Sequence, residues 1–582
     1  MRDPGAQRSG EWFAGDDLAG MLHRWTLRAQ GLTRASFDGR PVIGICSSWS
    51  ELVHCNVHFR ALANHVRRGV QQAGGVALEL DTVSLSEGLM KPTTMLYRNL
   101  MAMEVEECLR AHPFDAVVLI GGCDKTVPAQ LMGAASADVP AIALTGGPSL
   151  SARLHGREIG SGTDFWRYAD DYRAGRIERR ELDEFEAAVG PSVGHCPEMG
   201  TASTMAVLVE AMGFSLPGSA MVPAVDARRA QVAERTGARA VELAREGLRP
   251  SAILTEQALE NAITMLAAVG GSTNAVIHLL ALAGRLGIAL PLERFDQLAA
   301  RTPTIVNLRP SGEHLSEQLF QAGGVPAVLR ELAPLLHLDA PTVTGRPLRD
   351  ALAAADASDR TTIAALEQPF RPAGGLAVLR GNLAPDGALL KVSVASEALL
   401  RHSGAAVVFE DMEDLAARIE DPALEVDTSS VLILRNVGPV GAPGMPEWGQ
   451  IPIPRRLIEV GVRDMVRISD ARMSGTAYGT VVLHVTPEAA VGGPLALVRS
   501  GDRVTLDVPR RALELEVADD ELARRREAWR PRPPHYERGY GALHAAHVLQ
   551  ADQGCDLDFL RGRDPRAGEL PLGMLRGWIG GW

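Results

Sequence analysis

The sequence has no run of about 18 apolar residues, the length that spans a bilayer as a helix. Met1 to Asp17 mixes Arg, Asp, Gly and Glu, and it lacks the apolar stretch of a signal peptide. The expectation is a cytoplasmic protein with no membrane partner. Nor is there an excess of positive charge: 59 Lys and Arg stand against 71 Asp and Glu, a net charge of −12. An acidic surface argues against nucleic acid as a partner. A small anionic substrate stays open, because a few metal ions or arginines invert the sign locally. None of the six cysteines (Cys46, Cys55, Cys108, Cys123, Cys196 and Cys555) forms a Cys-x-x-Cys pair. A zinc ribbon or thioredoxin-like site is therefore unsupported, and a reducing cytosol disfavours disulfides. No internal repeat and no low-complexity segment is present.

What is there is 582 residues, 46% hydrophobic and 22% charged. That balance is ordinary for a soluble globular protein. Single cores stop growing near ~250–300 residues, so two large units are expected. Short apolar runs at Val42–Cys46, Ala77–Val83, Ala116–Ile120 and Ala141–Thr145 read as strands. Helical stretches such as His58–Ala73 and Leu96–Ala111 lie between them. This alternation predicts an α/β unit, an open and mostly parallel sheet with helices on both faces. A helix-rich stretch follows from Ala224 to about Leu336. Glycines and prolines crowd Pro369–Gly387, and the boundary is placed there. The division is thus residues 1–375 and 376–582. The second unit holds short β-like runs at Leu390–Val394, Ala405–Phe409, Val431–Leu434, Met465–Ile468, Val481–Val485 and Arg503–Val508. Such spacing predicts a β-rich, barrel-like domain. The end, from Arg524 to Trp582, is expected to wrap back on the body.

Several segments carry chemistry-bearing side chains. An apolar strand runs into Gly121-Gly-Cys-Asp-Lys125. Ligands in open α/β sheets sit at the carboxyl ends of strands, and the glycines allow close backbone approach. A thiolate, a carboxylate and an amine on one turn can serve two metal centres. Taken alone, the same turn would serve equally well as a solvated loop with a buried cysteine. Ser47-Ser-Trp-Ser-Glu-Leu-Val-His-Cys55 also follows a strand. Its cysteine lies among polar residues, unlike an inert core cysteine, and the flanking His54 and His58 suit a supporting role better than ligation. Cys196 lies in a Gly/Pro-rich turn that opens a helix, where the N-terminus would favour thiolate. Glu87 follows a strand and means nothing by itself. In the second unit, the Gly438–Met445 loop leads to Glu447, and Ser474 sits between Met473 and Gly475.

Taken together, these segments resemble the dihydroxy-acid and sugar-acid dehydratase family. The likeness covers nearly the whole chain. It begins at Arg8-Ser-Gly-Glu-Trp-Phe-Ala-Gly-Asp-Asp17 and includes Gly270-Gly-Ser-Thr-Asn-Ala-Val276 and Gly381-Asn-Leu-Ala-Pro385. It reaches Pro487-Glu-Ala-Ala-Val-Gly-Gly-Pro494 and Val548-Leu-Gln-Ala-Asp-Gln-Gly554. The resemblance implies an iron–sulfur cluster on Cys55, Cys123 and Cys196, with [2Fe–2S] favoured over [4Fe–4S]. It implies Mg²⁺ on Glu87, Asp124, Glu447 and a carbamylated Lys125. It implies Ser474 as catalytic serine, Thr476 as a substrate-binding residue, and a homodimer or homotetramer. Cys46, Cys108 and Cys555 match no ligand position. Ser86-Glu-Gly-Leu-Met-Lys-Pro-Thr-Thr-Met-Leu-Tyr-Arg98, Gly160-Ser-Gly-Thr-Asp-Phe-Trp166 and Gly194-His-Cys196 point to the sugar-acid branch, which acts on anionic sugar acids.

The chemistry needs such groups. Three cysteines cannot close a cluster that wants four thiolates, so one iron keeps a position where it can polarise a hydroxyl. Mg²⁺ takes hard oxygen ligands. A cationic lysine beside it would be repelled, whereas a carbamate is an anionic oxygen ligand. The activity implied is dehydration of a 2,3-dihydroxy sugar acid to a 2-keto-3-deoxy acid. One rival is the dihydroxy-acid dehydratase of branched-chain amino-acid synthesis, against which the segment after Ser86 weighs. Another is a redox or iron sensor, which would need neither Glu447 nor Ser474. A third is a non-catalytic assembly subunit, which would show a lost ligand.

Overall fold

Four apolar runs extend as β1 (Val42–Ser47), β2 (Val76–Asp81), β3 (Ala116–Gly121) and β4 (Ala141–Thr145) in the computed structural model, which describes residues 7–353 and 355–562. All residues of β1, β3 and β4 are buried, and β2 alternates. Continuous burial with one alternating edge is what a parallel sheet covered on both faces requires. The strands pair in parallel in the order β2-β1-β3-β4. The step from β1 to β2 runs one way across the sheet, and the next two steps run the other way. Right-handed crossovers therefore put α1 (Phe59–Gln72) on one face, and α2 (Thr94–Ala111) and α3 (Thr126–Ala137) on the other. The reversal lies between β1 and β3, where the carboxyl ends of the strands open a crevice.

The helix-rich stretch follows as expected. It is led by α4 (Thr201–Ala211), α5 (Ala227–Glu246), α6 (Glu256–Ala268) and α7 (Asn274–Leu286). Every residue of α4 and α7 is buried. Helix α5 lies directly against α1. A Cβ on Gly69 would stand 1.9 Å from the Glu234 carbonyl oxygen, and one on Gly237 would stand 2.1 Å from that of Val66. The Arg8–Asp17 segment is tied to the sheet through Asp115, whose carboxylate accepts from Ser9 N (2.8 Å), Ser9 Oγ (2.7 Å) and Val42 N (2.7 Å). A small hairpin, β5 (Ala152–Leu154) and β6 (Arg157–Ile159), follows the sheet.

The second unit is a closed barrel with its own apolar core. Its strands are β7 (Ala377–Gly381), β8 (Ala384–Leu390), β9 (Arg401–Phe409), β10 (Val431–Leu434), β11 (Arg467–Ser469), β12 (Val481–Thr486), β13 (Arg503–Asp507) and β14 (Ala512–Leu515). Their order around the barrel is β10-β11-β12-β8-β7-β14-β13-β9, and β9 closes on β10. Strands β9 to β12 run parallel to their neighbours within this group.

Three details differ from the expectations. The run Leu390–Val394 is not a strand: β8 ends at Leu390 and residues 392–394 form a 3₁₀ turn. There Ser393 N leaves the ladder for the Gly375 carbonyl. Strands β7 and β8 begin inside the Gly/Pro-rich stretch, because Gly381 and Gly387 occupy positive φ in a tight hairpin rather than a linker. β14, Ala512–Leu515, also went unread. The chain end does return to the body. Arg98 donates to the Gly554 and Cys555 carbonyls at 2.9 Å each, and buried Arg285 meets Asp556. The expectation for residues 563–582 lies outside the described residues.

Candidate active site

The turns after β1, β2 and β3 are laced together at the sheet crevice. Asn56 Nδ2 donates to the Ser48 carbonyl (3.0 Å) and to Ser84 Oγ (2.9 Å). Ser84 Oγ in turn donates to the Ser48 carbonyl at 2.6 Å. Gly122 makes the third turn fit. A Cβ there would stand 2.8 Å from Phe59 Cζ, 2.9 Å from Asn56 Oδ1 and 3.0 Å from the Cys55 carbonyl oxygen. Only glycine lets Cys123 approach Cys55 this closely. The two thiols pack with Val53 in one buried cluster. The Cys196 turn joins them from the far side, where Gly194 N donates to the His54 carbonyl at 3.4 Å.

Cys196 is not primed as expected. Hydrogen bonding by Cys123, then burial, raises the Cys55 thiol well above its ordinary range. Burial, then the Glu198 charge, pushes Cys196 up to about 12. α4 begins at Thr201, five residues past Cys196, beyond reach of its terminal dipole. The expectation that a helix N-terminus favours a thiolate here is therefore corrected: these thiols need a bound cation to ionise. His54 Nε2 lies 3.5 Å from Cys55 Sγ, and His58 Nε2 donates to the Gly146 carbonyl at 3.0 Å, so both support the turn. Cys46 and Cys555 are buried elsewhere in the core, and Cys108 is half-buried on α2.

Beside the thiols lies a charged cluster drawn from both units. The Lys125 side chain is fully buried. Its Nζ is 2.9 Å from Asp124 Oδ2, 3.4 Å from Glu87 Oε2 and 3.7 Å from Glu447 Oε1. Burial alone would push Lys125 down, but Asp124 and Glu87 outweigh it and hold the ammonium above its ordinary range. Among the described residues no group of three or more His, Cys, Asp or Glu stands at metal-ligand spacing. The carboxylates converge on the ammonium instead.

Each carboxylate is oriented by neighbours. Glu87 accepts from Thr93 Oγ1 at 2.9 Å and from Thr94 Oγ1. Glu447 arrives on the loop after β10 and accepts from Asn274 Nδ2 (2.7 Å) and Arg472 Nη1 (2.8 Å). Fully buried Arg472 also donates to the Met445 carbonyl (2.7 Å) and to Thr93 Oγ1 (3.1 Å), which sews barrel to sheet. Asn274, at the start of α7, reaches the Met473 carbonyl at 3.2 Å. Ser474 follows β11. Its Oγ is 2.9 Å from Thr476 Oγ1, and it is half-buried where its neighbours are buried. Thr476 packs against Gly162 and Gly200, and its carbonyl accepts from Thr163 Oγ1 at 3.0 Å.

All eight chemistry-bearing positions named from the sequence, with Thr476, therefore fall along one seam between sheet crevice and barrel mouth. The sequence reading missed Arg472 and Asn274. Asn274 lies inside a motif quoted for the resemblance and Arg472 two residues before Ser474, but neither type announces a site by itself. Glu198 was missed too. Fully buried, it accepts from Gly162 N (2.7 Å) and Thr163 N (3.1 Å), so it holds the Gly160–Trp166 loop against Thr476.

The sequence patterns of both units are those of known proteins. Family models described as the N-terminal and C-terminal domains of dihydroxy-acid/6-phosphogluconate dehydratase match residues 40–351 and 361–555. The chain belongs to the dihydroxy-acid/6-phosphogluconate dehydratase family. It is 51% identical to L-arabinonate dehydratase of Rhizobium leguminosarum bv. trifolii, covering 96% of this chain and 97% of that one. It is 50% identical to 6-deoxy-6-sulfo-D-gluconate dehydratase of Pseudomonas putida, covering 95% and 96%. Dihydroxy-acid dehydratase of Ignicoccus hospitalis is more distant, at 41% over 92% and 98%. No helix among the described residues is long and apolar enough to cross a membrane.

Proposed function

We propose that this chain is a hydro-lyase that removes water from a 2,3-dihydroxy sugar acid, a pentonate such as L-arabinonate first among them, to give a 2-keto-3-deoxy acid. The observation that carries the reading is one seam holding three thiols, three carboxylates around a buried lysine, and the Ser474 hydroxyl. The sugar-acid branch is supported by the higher identity to L-arabinonate dehydratase and 6-deoxy-6-sulfo-D-gluconate dehydratase, 51% and 50%, than to dihydroxy-acid dehydratase, 41%.

The donor chemistry fits two metal centres. Cys55, Cys123 and Cys196 are soft ligands suited to an iron–sulfur cluster, [2Fe–2S] in preference to [4Fe–4S]. Asp124, Glu87 and Glu447 are hard oxygen ligands suited to Mg²⁺. Lys125 fits as a carbamate, because carbamylation turns the group that now repels a cation into one that binds it. When bound, these centres supply Lewis acidity for the departing hydroxyl and for the substrate carboxylate.

The chain's own residues do the rest. Arg472 and Asn274 fix Glu447, so the carboxylate side of the site needs little rearrangement when substrate arrives. Ser474 takes the proton from C2 of the substrate. A serine hydroxyl is far too weak a base unless its surroundings draw off its proton. Thr476 orients the Ser474 hydroxyl and contacts the substrate, and the buried seam keeps bulk water from it. The same reading carries a cytoplasmic homodimer or homotetramer with no nucleic-acid partner.

The test is a substrate panel on protein purified without oxygen and with Mg²⁺. Pentonates, hexonates and 2,3-dihydroxyisovalerate are offered, and keto acid is read as its semicarbazone. Sugar-acid product is expected. Product from dihydroxyisovalerate alone moves the chain to the amino-acid branch, and no product with an intact cluster spectrum refutes the hydro-lyase. Ser474→Ala is expected to abolish turnover and leave the cluster spectrum unchanged.

A further inference from the structure

Lysine is scarce in this chain: only three of its 59 basic residues, Lys91, Lys125 and Lys391, are lysine. Lys91 is exposed, and Lys125 sits among its carboxylates. Lys391 has neither setting. It directly follows β8 and is 1% exposed. Its Nζ donates to the Gly475 carbonyl at 3.2 Å. Burial pushes its ammonium from 10.5 down to about 7, and among the described residues no carboxylate pairs with it. An ammonium has three N–H donors, and the carbonyl of Gly475 takes one. A charge buried without a counter-ion is costly.

The place of that single contact gives the lysine its meaning. Gly475 lies between Ser474 and Thr476. On its other side it presses on the first unit, where a Cβ would stand 2.6 Å from Thr201 N and 2.8 Å from Ser272 Oγ. The turn is thus gripped between the N-terminus of α4 and the Lys391 amine.

We propose that Lys391 is a positioning residue for Ser474: it fixes the Gly475 carbonyl and sets beside the turn an uncompensated positive charge that favours loss of the Ser474 proton. This rests on the reading of Ser474 as the base. The charge that is costly in the resting fold is balanced when an alkoxide forms next to it. No covalent step at Lys391 is involved.

The experiment uses the metal-loaded enzyme and its best sugar acid. Lys391→Met removes both hydrogen bond and charge, and Lys391→Gln keeps an N–H donor for Gly475 without the charge. kcat is expected to fall about tenfold or more in Lys391→Gln and about a hundredfold in Lys391→Met, with KM within about threefold. Neither melting temperature should drop, because an unpaired buried charge has been removed. A space-filling role predicts the reverse: lower melting temperatures with kcat per folded enzyme intact. Full kcat in Lys391→Gln overturns the proposal whether or not Lys391→Met folds. Ser474→Ala is measured alongside. If it keeps turnover, the base reading fails and the Lys391 proposal with it. If it is inactive while Lys391→Gln keeps full kcat, only the Lys391 proposal fails.

Discussion

Gly122→Ala is the sharpest test of how the thiol site is built. The added Cβ would meet Phe59 Cζ at 2.8 Å, Asn56 Oδ1 at 2.9 Å and the Cys55 carbonyl oxygen at 3.0 Å. Relaxed carbon contacts lie near ~3.5–4.0 Å, so about half an ångström or more must be found. None of the three neighbours gives easily. Phe59 is fully buried at the start of α1, Asn56 is held by Ser48 and Ser84, and the third atom is backbone. Overpacking of this kind costs about 1–3 kcal/mol. The strain separates the Cys55 turn from the Cys123 turn, so the damage falls on the thiol set. Two measurements follow: thermal unfolding of the metal-free protein, and iron content with visible absorbance after anaerobic reconstitution. The expected result is a lowered melting temperature and less iron per chain. Gly190→Ala, where a Cβ meets nothing within 4 Å, is the control and should change neither. A Gly122→Ala protein with the parent's melting temperature and full iron would refute the argument that glycine sets the distance between these turns.

The other predictions concern the seam and acid stability. Arg472→Met removes the guanidinium from Glu447, the Met445 carbonyl and Thr93, and leaves Glu447 only Asn274 as a close donor. Breaking a buried charge pair by removing one partner costs about 3–5 kcal/mol. The variant's denaturation midpoint should fall accordingly, and an unchanged midpoint would mean the pair is not what joins the units. His484 and His544 are held neutral by burial, with pKa lowered to about 3 and about 4. The unfolded chain takes up protons near the ordinary 6.5 that the folded chain refuses. Stability is therefore fully present above 6.5 and is lost as pH falls toward 4, by on the order of 3 kcal/mol for each histidine at most. The histidine contribution to melting temperature should drop below pH 6.5, and His544→Asn should lessen that drop. A drop of the same size in the variant would assign acid sensitivity elsewhere.

Much of the architecture was legible in the sequence because it depends on local pattern. Val42–Ser47, Ala116–Gly121 and Ala141–Thr145 are short apolar runs rich in β-branched residues between turn signals, which suits strands buried on both faces. The Gly-Gly-Cys-Asp-Lys turn after an apolar strand pointed to chemistry at a strand's carboxyl end only when taken with the other segments. The hairpin of β7 and β8 was hidden, since glycine and proline mark a linker and a tight hairpin alike. What only the tertiary structure decided is which residues share a space. Asn274 is an ordinary helix start, Arg472 an ordinary surface type, and Lys391 one basic residue among 59. Their burial at the seam, where charge is expensive and partners come from distant parts of the chain, makes them part of a site. The state of the thiols was decided there too. Depth in the protein raises the Cys196 thiol and its distance from a helix end leaves that uncompensated, and neither is written in its neighbours along the chain.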